Sequence, residues 1–320
     1  MMKNKKILIV GGAGYIGGYL TDLFLDSGYN VTVYDNLTYE SRYMKEVNFI
    51  YGDIRDTTRL EGLIHDFDIV VWLAAIVGDG ACAVDVNLTH EINYETVKWL
   101  VDQYKGKIVF TSTCSVYGIN HEIIDEETTP NPLSAYAETK LKAEQYIIAH
   151  AEDYLIFRLG TLFGTGDKFS RLRLDLVANI LSMKAVQGEK LSVFGGEQWR
   201  PLLHVRDVSN AIKFGLEHEL SGLFNLSCGN YTINDIAEKI KESINDIEIN
   251  YTEMSFEDQR NYRVNCDKFN QYGWTPQFSL KDGIEEIIWV IGNKRIVDTT
   301  DIVYSNAAYV ARRYDETRSI

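Results

Sequence analysis

Strand-length apolar runs alternate with amphipathic stretches through the first half of the chain. KKILIV leads into YIGGYLTDLFLDSG, whose apolar residues recur at helical spacing until Gly28, a residue suited to the position just past a helix end. NVTVYD, VNFIYGD, DIVVWLAA, KIVFTS and YLIFRLG repeat the strand pattern, and helical periodicity fills the gaps at 57–65, 89–104 and 134–150. Alternation of this kind predicts right-handed βαβ units, hence an α/β fold with a doubly wound parallel sheet and helices on both faces.

The rhythm loosens after Gly164. Predicted helices at 174–187, 233–244 and 280–291 mix with the short strands KLSVFG and IEINY, the pattern of a smaller C-terminal α/β lobe. HVRDVSNAIKFGLE, from His204, reads as one more helix of the sheet domain, so the chain crosses between lobes more than once. The expected division is a sheet domain over 1–164, with 201–226 returning to it, and a second lobe over 165–200 and 227–295. The remaining 296–320 form a polar, Tyr-rich C-terminal extension that the pattern does not place.

Composition narrows the function classes. A chain of 320 residues can bury a large core without disulfides or metals. A net charge of −14 argues against nucleic-acid binding, which needs a basic surface. Cys82, Cys114, Cys228 and Cys266 lie far apart and match no metal spacing, so they read as reduced thiols and no metal is expected. No apolar run reaches membrane-spanning length and no signal peptide stands out, so a cytoplasmic protein is expected.

GGAGYIG follows the first strand and opens the first helix, with Gly11, Gly14 and Gly17 at G-x-x-G-x-x-G spacing. Glycines there allow a tight turn and close backbone approach to a pyrophosphate, and the helix N-terminus offers free N–H groups. Asp35 ends the second strand, where a carboxylate accepts both ribose hydroxyls of an adenosine and repels a 2′-phosphate. This favours NAD over NADP. Asp53, after the third strand, is placed to meet the adenine, and Ala74 and Ala75 are small where a flat cofactor needs clearance.

SAYAETK opens a predicted helix and puts Tyr136 and Lys140 one turn apart on one face. A phenol titrates near pH 10, so a tyrosine base working near neutrality needs a fall of about three units, about 4 kcal/mol. An ammonium and an oxidised nicotinamide ring can supply it. TSTCSVYG leaves the fifth strand through small hydroxyl and thiol residues, which keep a crevice open while Thr113 reaches the reacting hydroxyl beside Tyr136.

GGAGYIG, Asp35, GDIRD, LAA, Asn93 in EINYE, TSTCSVYG and SAYAETK come in an order that resembles the extended short-chain dehydrogenase/reductases. RPLLHVRDV and DQRNYRV…K…GW resemble the nucleotide-sugar branch of that family, over roughly 5–290. The resemblance implies a Rossmann domain holding NAD and a C-terminal lobe holding a nucleotide-diphosphate sugar. It makes Tyr136 the base, Lys140 the group that binds the nicotinamide ribose and lowers the phenol, and Thr113 the assisting hydroxyl. It sets Tyr15, Ile16, Asn36, Ile54, Leu73 and Asn93 along the cofactor. Ser115, Thr161, Asn179, Arg200 and Arg260 become substrate contacts, and the helices at 89–104 and 134–150 a homodimer interface. Lys168, Arg171, Arg173 and Arg263 add positive charge to the same lobe.

The family's 4,6-dehydratases resemble S-T-D-E-V-Y-G at the fifth strand end; Cys114 and Ser115 stand here in place of that acid–base pair. The 4-epimerases resemble S-S-A-T-V-Y-G, a closer match. Hydride removal at C4 remains, by an epimerase or by a dehydrogenase that releases a 4-keto sugar. The alternatives are a 4,6-dehydratase or a non-catalytic NAD-binding regulator. Arg158-Leu159-Gly160-Thr161 departs from the epimerases' R-Y-F-N, which opens the substrate question. AAIVGDGACAVDVNLTHEINYE resembles enzymes of surface-polysaccharide and capsule synthesis, so a GDP-linked heptose is among the implied substrates.

Overall fold

The computed structural model describes residues 2–40, 43–244, 247–252 and 260–318. Asp258 and Gln259 of DQRNYRV lie outside them. Strands β1 (Lys6–Val10), β2 (Asn30–Asp35), β3 (Asn48–Tyr51), β4 (Ile69–Trp72) and β5 (Lys107–Thr113) arise where the apolar runs predict them. Strand β6 (Ile119–Ile124) leaves the sheet, and β7 (Tyr154–Leu159) rejoins it. The central sheet has seven strands, all paired parallel, and its last member, Gly222–Leu226, lies beside β7.

Strand order reverses between β1 and β4, and the C-terminal ends there open a crevice. Both faces of the sheet are covered. Ile7 and Ile9 of β1 pack into one core cluster, while Leu8 and Val10 pack into another. That is why the central strands read as unbroken apolar runs and not as alternating ones.

Helix α1 (Gly17–Asp26) starts in the glycine turn, and α2 (Thr57–Ile64) follows the third strand. The helical run predicted at 89–104 begins earlier, at α3 (Asp79–Val84) and α4 (Val86–His90). A wide turn of π type at Glu91–Glu95 then interrupts it before α5 (Thr96–Gln103). The next helix, α6 (Ala135–His150), carries Tyr136 and Lys140.

In the second half, α7 (Val177–Val186), Ile233–Ser243 and Leu280–Gly292 pack into a third core cluster. The helix Val205–Glu217 lies against α1 and joins the first cluster, as the pattern at His204 predicts. His204 is its N-cap, fully buried, with Nε2 3.1 Å from Glu286. The extension that the pattern left unplaced forms a turn at Ile302–Tyr304 and a helix at Asn306–Arg318 that packs on α3.

Candidate active site

Gly11 has φ +85°, and a Cβ there would lie 2.6 Å from the Ala74 backbone nitrogen; at Gly17 a Cβ would lie 2.6 Å from the Gly11 carbonyl oxygen. These two glycines are required by the protein's own packing. Gly14 is different: a Cβ would meet only the Gly11 carbonyl, at 3.4 Å. The turn therefore keeps a bare backbone at Gly14 that its own fold does not need, which fits close approach by a ligand. Gly14→Ala is expected to leave the unfolding temperature unchanged and to weaken NAD binding about tenfold or more, about 1.4 kcal/mol. Calorimetric titration beside a thermal melt checks this; equal loss of both would make the turn structural only.

Asp35 ends β2 with Oδ2 accepting the Ala13 N–H at 3.0 Å and Oδ1 accepting the Leu37 N–H at 2.7 Å. Each oxygen keeps a second acceptor direction for a ribose hydroxyl. Burial raises its pKa, and the two N–H donors oppose that shift. Asn36 donates to Asp53 at 3.4 Å, while Arg55 grips Asp53 through two nitrogens at 3.0 and 2.8 Å. Ile54 packs into the core cluster below, and Leu73, Ala74 and Ala75 are half-buried at the end of β4.

Two residues expected along the cofactor turn their side chains to the protein. The Tyr15 phenol donates to the Gly164 carbonyl, and Ile16 packs between two core clusters. Asn93 sits in the π turn, accepting the Ile76 N–H at 2.8 Å and donating to the Ile76 carbonyl at 2.9 Å. It pins the chain leaving β4, so its place is beneath the crevice floor.

Thr113, Tyr136 and Lys140 come together. Ser134 caps α6 by accepting the Ala137 N–H, and the first turn then brings Tyr136 near Thr113, whose side chain favours the ionised phenol. The Lys140 ammonium lies over the Phe110 ring at 4.0 Å. Burial pulls its pKa down to about 7. Burial pushes the Tyr136 phenol up, above its ordinary 10, with Cys82 and Asp79 acting in the same direction and Arg173 opposing. Desolvation penalises both charged forms, and the cation that acts on the phenol is Arg173.

The substrate-side residues have strong internal partners. Arg200 is buried and donates to the carbonyl oxygens of Trp199 and Arg260. Asn179 accepts the Gly164 N–H at 2.9 Å and donates to the Arg173 carbonyl at 2.8 Å. Thr161 begins a short strand beside Leu202. Arg173 is paired through two nitrogens to Asp175, and Arg263 lies over the Trp199 ring. The side chains expected to bind a diphosphate are therefore already engaged within the protein, Arg173 by a carboxylate, Arg200 by carbonyl oxygens and Arg263 by a ring. Cys114 is buried, donates to the Arg158 carbonyl at 3.2 Å and has its thiol pKa raised by burial, as suits a packing residue.

Arg260 reaches the crevice: its NH1 lies 3.1 Å from Asp79 Oδ2 and 3.3 Å from the Ser115 hydroxyl. Asp79 also accepts the Ser134 hydroxyl at 2.6 Å. Asp79 was missed by sequence reasoning, although an acid after Gly78 at a helix start was a usable signal. It brings one carboxylate to the crevice, linked to the Ser115 hydroxyl through Arg260 NH1.

Comparison with known proteins gives the same outline. Residues 7–227 match the family described as "NAD dependent epimerase/dehydratase family". A putative UDP-glucose 4-epimerase of Methanocaldococcus jannaschii is 29% identical, covering 90% of this chain and 99% of that protein. The UDP-glucose 4-epimerase of Halalkalibacterium halodurans is 30% identical over 74% of this chain and 79% of its own length. The structure of UDP-glucuronic acid 4-epimerase from Bacillus cereus, in complex with UDP-glucuronic acid and NAD, superposes with a TM-score of 0.77. Its identity is 27%, over 90% of this chain and 99% of that one.

Proposed function

Because the chain belongs to the NAD-dependent epimerase/dehydratase family, it is an NAD-binding oxidoreductase acting on a nucleotide-diphosphate sugar, and we propose that it oxidises C4 of that sugar. The observation that carries this reading is the placement of Thr113, at the C-terminal end of β5, beside Tyr136 in the first turn of α6, with Lys140 one turn further along. Bound NAD supplies the hydride acceptor. Tyr136 Oη takes the proton of the C4 hydroxyl as the C4–H bond gives up its hydride, leaving a 4-keto sugar and a protonated phenol. Thr113 holds the same oxygen in line, and Lys140 holds the nicotinamide ribose.

Gly11, Gly14, Gly17 and Asp35 carry the pyrophosphate and adenosine ribose in this reading. Ser115 and Arg260 face the sugar and diphosphate. Cys114 and Ser115 supply no carboxylate pair, and Asp79 is engaged by Ser134 and Arg260, which argues against the dehydratase. Epimerase and dehydrogenase share the oxidation step and differ in whether the hydride returns to the other face. The face formed by the π turn, α5 and α6, where the Tyr146 ring meets Tyr94 edge-on and His150 at a tilt, is the proposed homodimer contact.

The test is incubation of the protein with UDP-, GDP- and dTDP-sugars, including GDP-manno-heptose, with products read by mass and NMR. An isomer of unchanged mass is the epimerase result. A product lighter by two hydrogens, with matching reduced cofactor, is the dehydrogenase result. Loss of water would overturn the assignment at Cys114 and Ser115.

A further inference from the structure

The C-terminal extension touches the cofactor crevice at both ends and in the middle. At the adenosine end, the Tyr309 ring lies 5.0 Å from the Tyr39 ring, four residues after Asp35. In the middle, the Asn306 amide donates to the Val77 carbonyl at 2.8 Å, on the loop that leaves β4 beside the glycine turn. At the catalytic end, Val310 packs in the cluster that contains Ile76, Cys82, Ala135 and Tyr136. The line from Asp35 past Ala74 to Tyr136 is the line a dinucleotide follows in the proposed site, and Tyr309, Asn306 and Val310 contact residues along it.

Asn306 is the centre of this contact. It is 4% exposed. Its backbone N–H donates to Asp175 Oδ2 at 2.9 Å, and its side-chain oxygen accepts from Arg171. Arg171 also donates to the Val303 carbonyl at 2.8 Å and lies over the Tyr39 ring at 4.0 Å. Asp175 in turn pairs with Arg173. One buried side chain thus ties the β4 loop, the Arg171–Asp175 segment and the C-terminal helix into a closed strap. A wide groove of about 1880 Å³ runs against Arg171, Tyr304 and Tyr309, and Tyr136, Lys140 and Gly14 are not among its lining residues.

The geometry points to the C-terminal segment as a cover that traps NAD, with Asn306 as its positioning residue. This inference rests on the proposed NAD site and goes beyond it. Nucleotide can enter or leave only when the strap lifts, and lifting must break the Asn306 contacts together. The strap keeps reduced cofactor in place between the two hydride transfers, which suits return of the hydride within one turnover over release of a keto product.

The test measures the rate at which bound NAD leaves the full-length protein, by dilution into an NAD-scavenging enzyme, in wild type, Asn306→Ala and Tyr309→Ala. A thermal melt is recorded alongside. Asn306→Ala is expected to release NAD at least about tenfold faster, about 1.4 kcal/mol. Tyr309→Ala, which leaves the buried amide in place, should move release in the same direction and keep the wild-type melting temperature. Release at the wild-type rate in both variants overturns the cover. Wild-type protein that holds no NAD at all overturns the cofactor assignment and the cover with it.

Discussion

Tyr136→Phe lowers turnover by about 10²–10⁴-fold, the range typical of removing a general base. The exchange deletes one hydroxyl and keeps the ring. NAD should stay bound, because Gly14, Asp35 and the strap are untouched. The size of the loss follows from the pocket. Burial holds the Tyr136 phenol above its ordinary range, so ionisation there depends on positive charge placed against it. Lys140 is poorly supplied to provide that charge alone: burial lowers its pKa to about 7. Its ammonium is complete below that pH and is lost as pH rises through it. Turnover measured from pH 6 to 9, with NAD saturating, reports whether the wild-type profile carries these two groups. Tyr136→Phe turnover within severalfold of wild type would assign the proton to another residue, with Asp79, the carboxylate that acts on the Tyr136 phenol, as the candidate.

Glu144→Gln destabilises the protein by about 3–5 kcal/mol, the cost of leaving one member of a buried ion pair unmatched. Glu144 and Arg158 are 1% and 3% exposed. Arg158 donates to both carboxylate oxygens, with Nε to Oε2 at 3.1 Å, and its NH1 donates to the Tyr117 hydroxyl at 2.7 Å. The pair fastens α6 to β7. Glu144 lies one turn beyond Lys140, which lies one turn beyond Tyr136, so the bridge sits on the catalytic face of the helix. Glu144 also raises the Lys140 pKa against the burial that lowers it. Its neutralisation should therefore cut activity beyond the stability loss. The check is denaturant unfolding of Glu144→Gln beside a Glu144→Leu/Arg158→Met double variant. The double variant should recover most of the loss, since two apolar groups leave no charge unpaired. A single variant as stable as wild type would show that water reaches Arg158.

Arg158 illustrates how far the chain could be read before folding. In Arg158-Leu159-Gly160-Thr161 it is the one position that agrees with the epimerases' R-Y-F-N, and only the packed helix shows what it holds. Its partner lies fourteen positions earlier, at a separation that no local pattern encodes. Asn93 and Asn179 make the same point from the opposite direction. Motif position offers both as ligand contacts, and the fold shows that both amides also hold backbone groups in the interior.

The strands and the glycine turn were legible because each depends on local rules, and the same rules place Asp35 at a strand end and Tyr136 and Lys140 on one helix face. Apolar runs bury on both faces, glycine alone tolerates the approaches at Gly11 and Gly17, and residues four apart share a helix face. Tertiary structure decided what lies between distant segments. It brought Arg260 and Asp79 together, gave Arg171 the Asn306 amide as a hydrogen-bond acceptor, paired Arg173 with Asp175, and set Tyr309 of the Tyr-rich C-terminus against Tyr39. Such contacts form only once the sheet and its helices fix the geometry. The energy that selects them comes from burial and from matching polar groups in that interior, and neither quantity exists along the isolated chain.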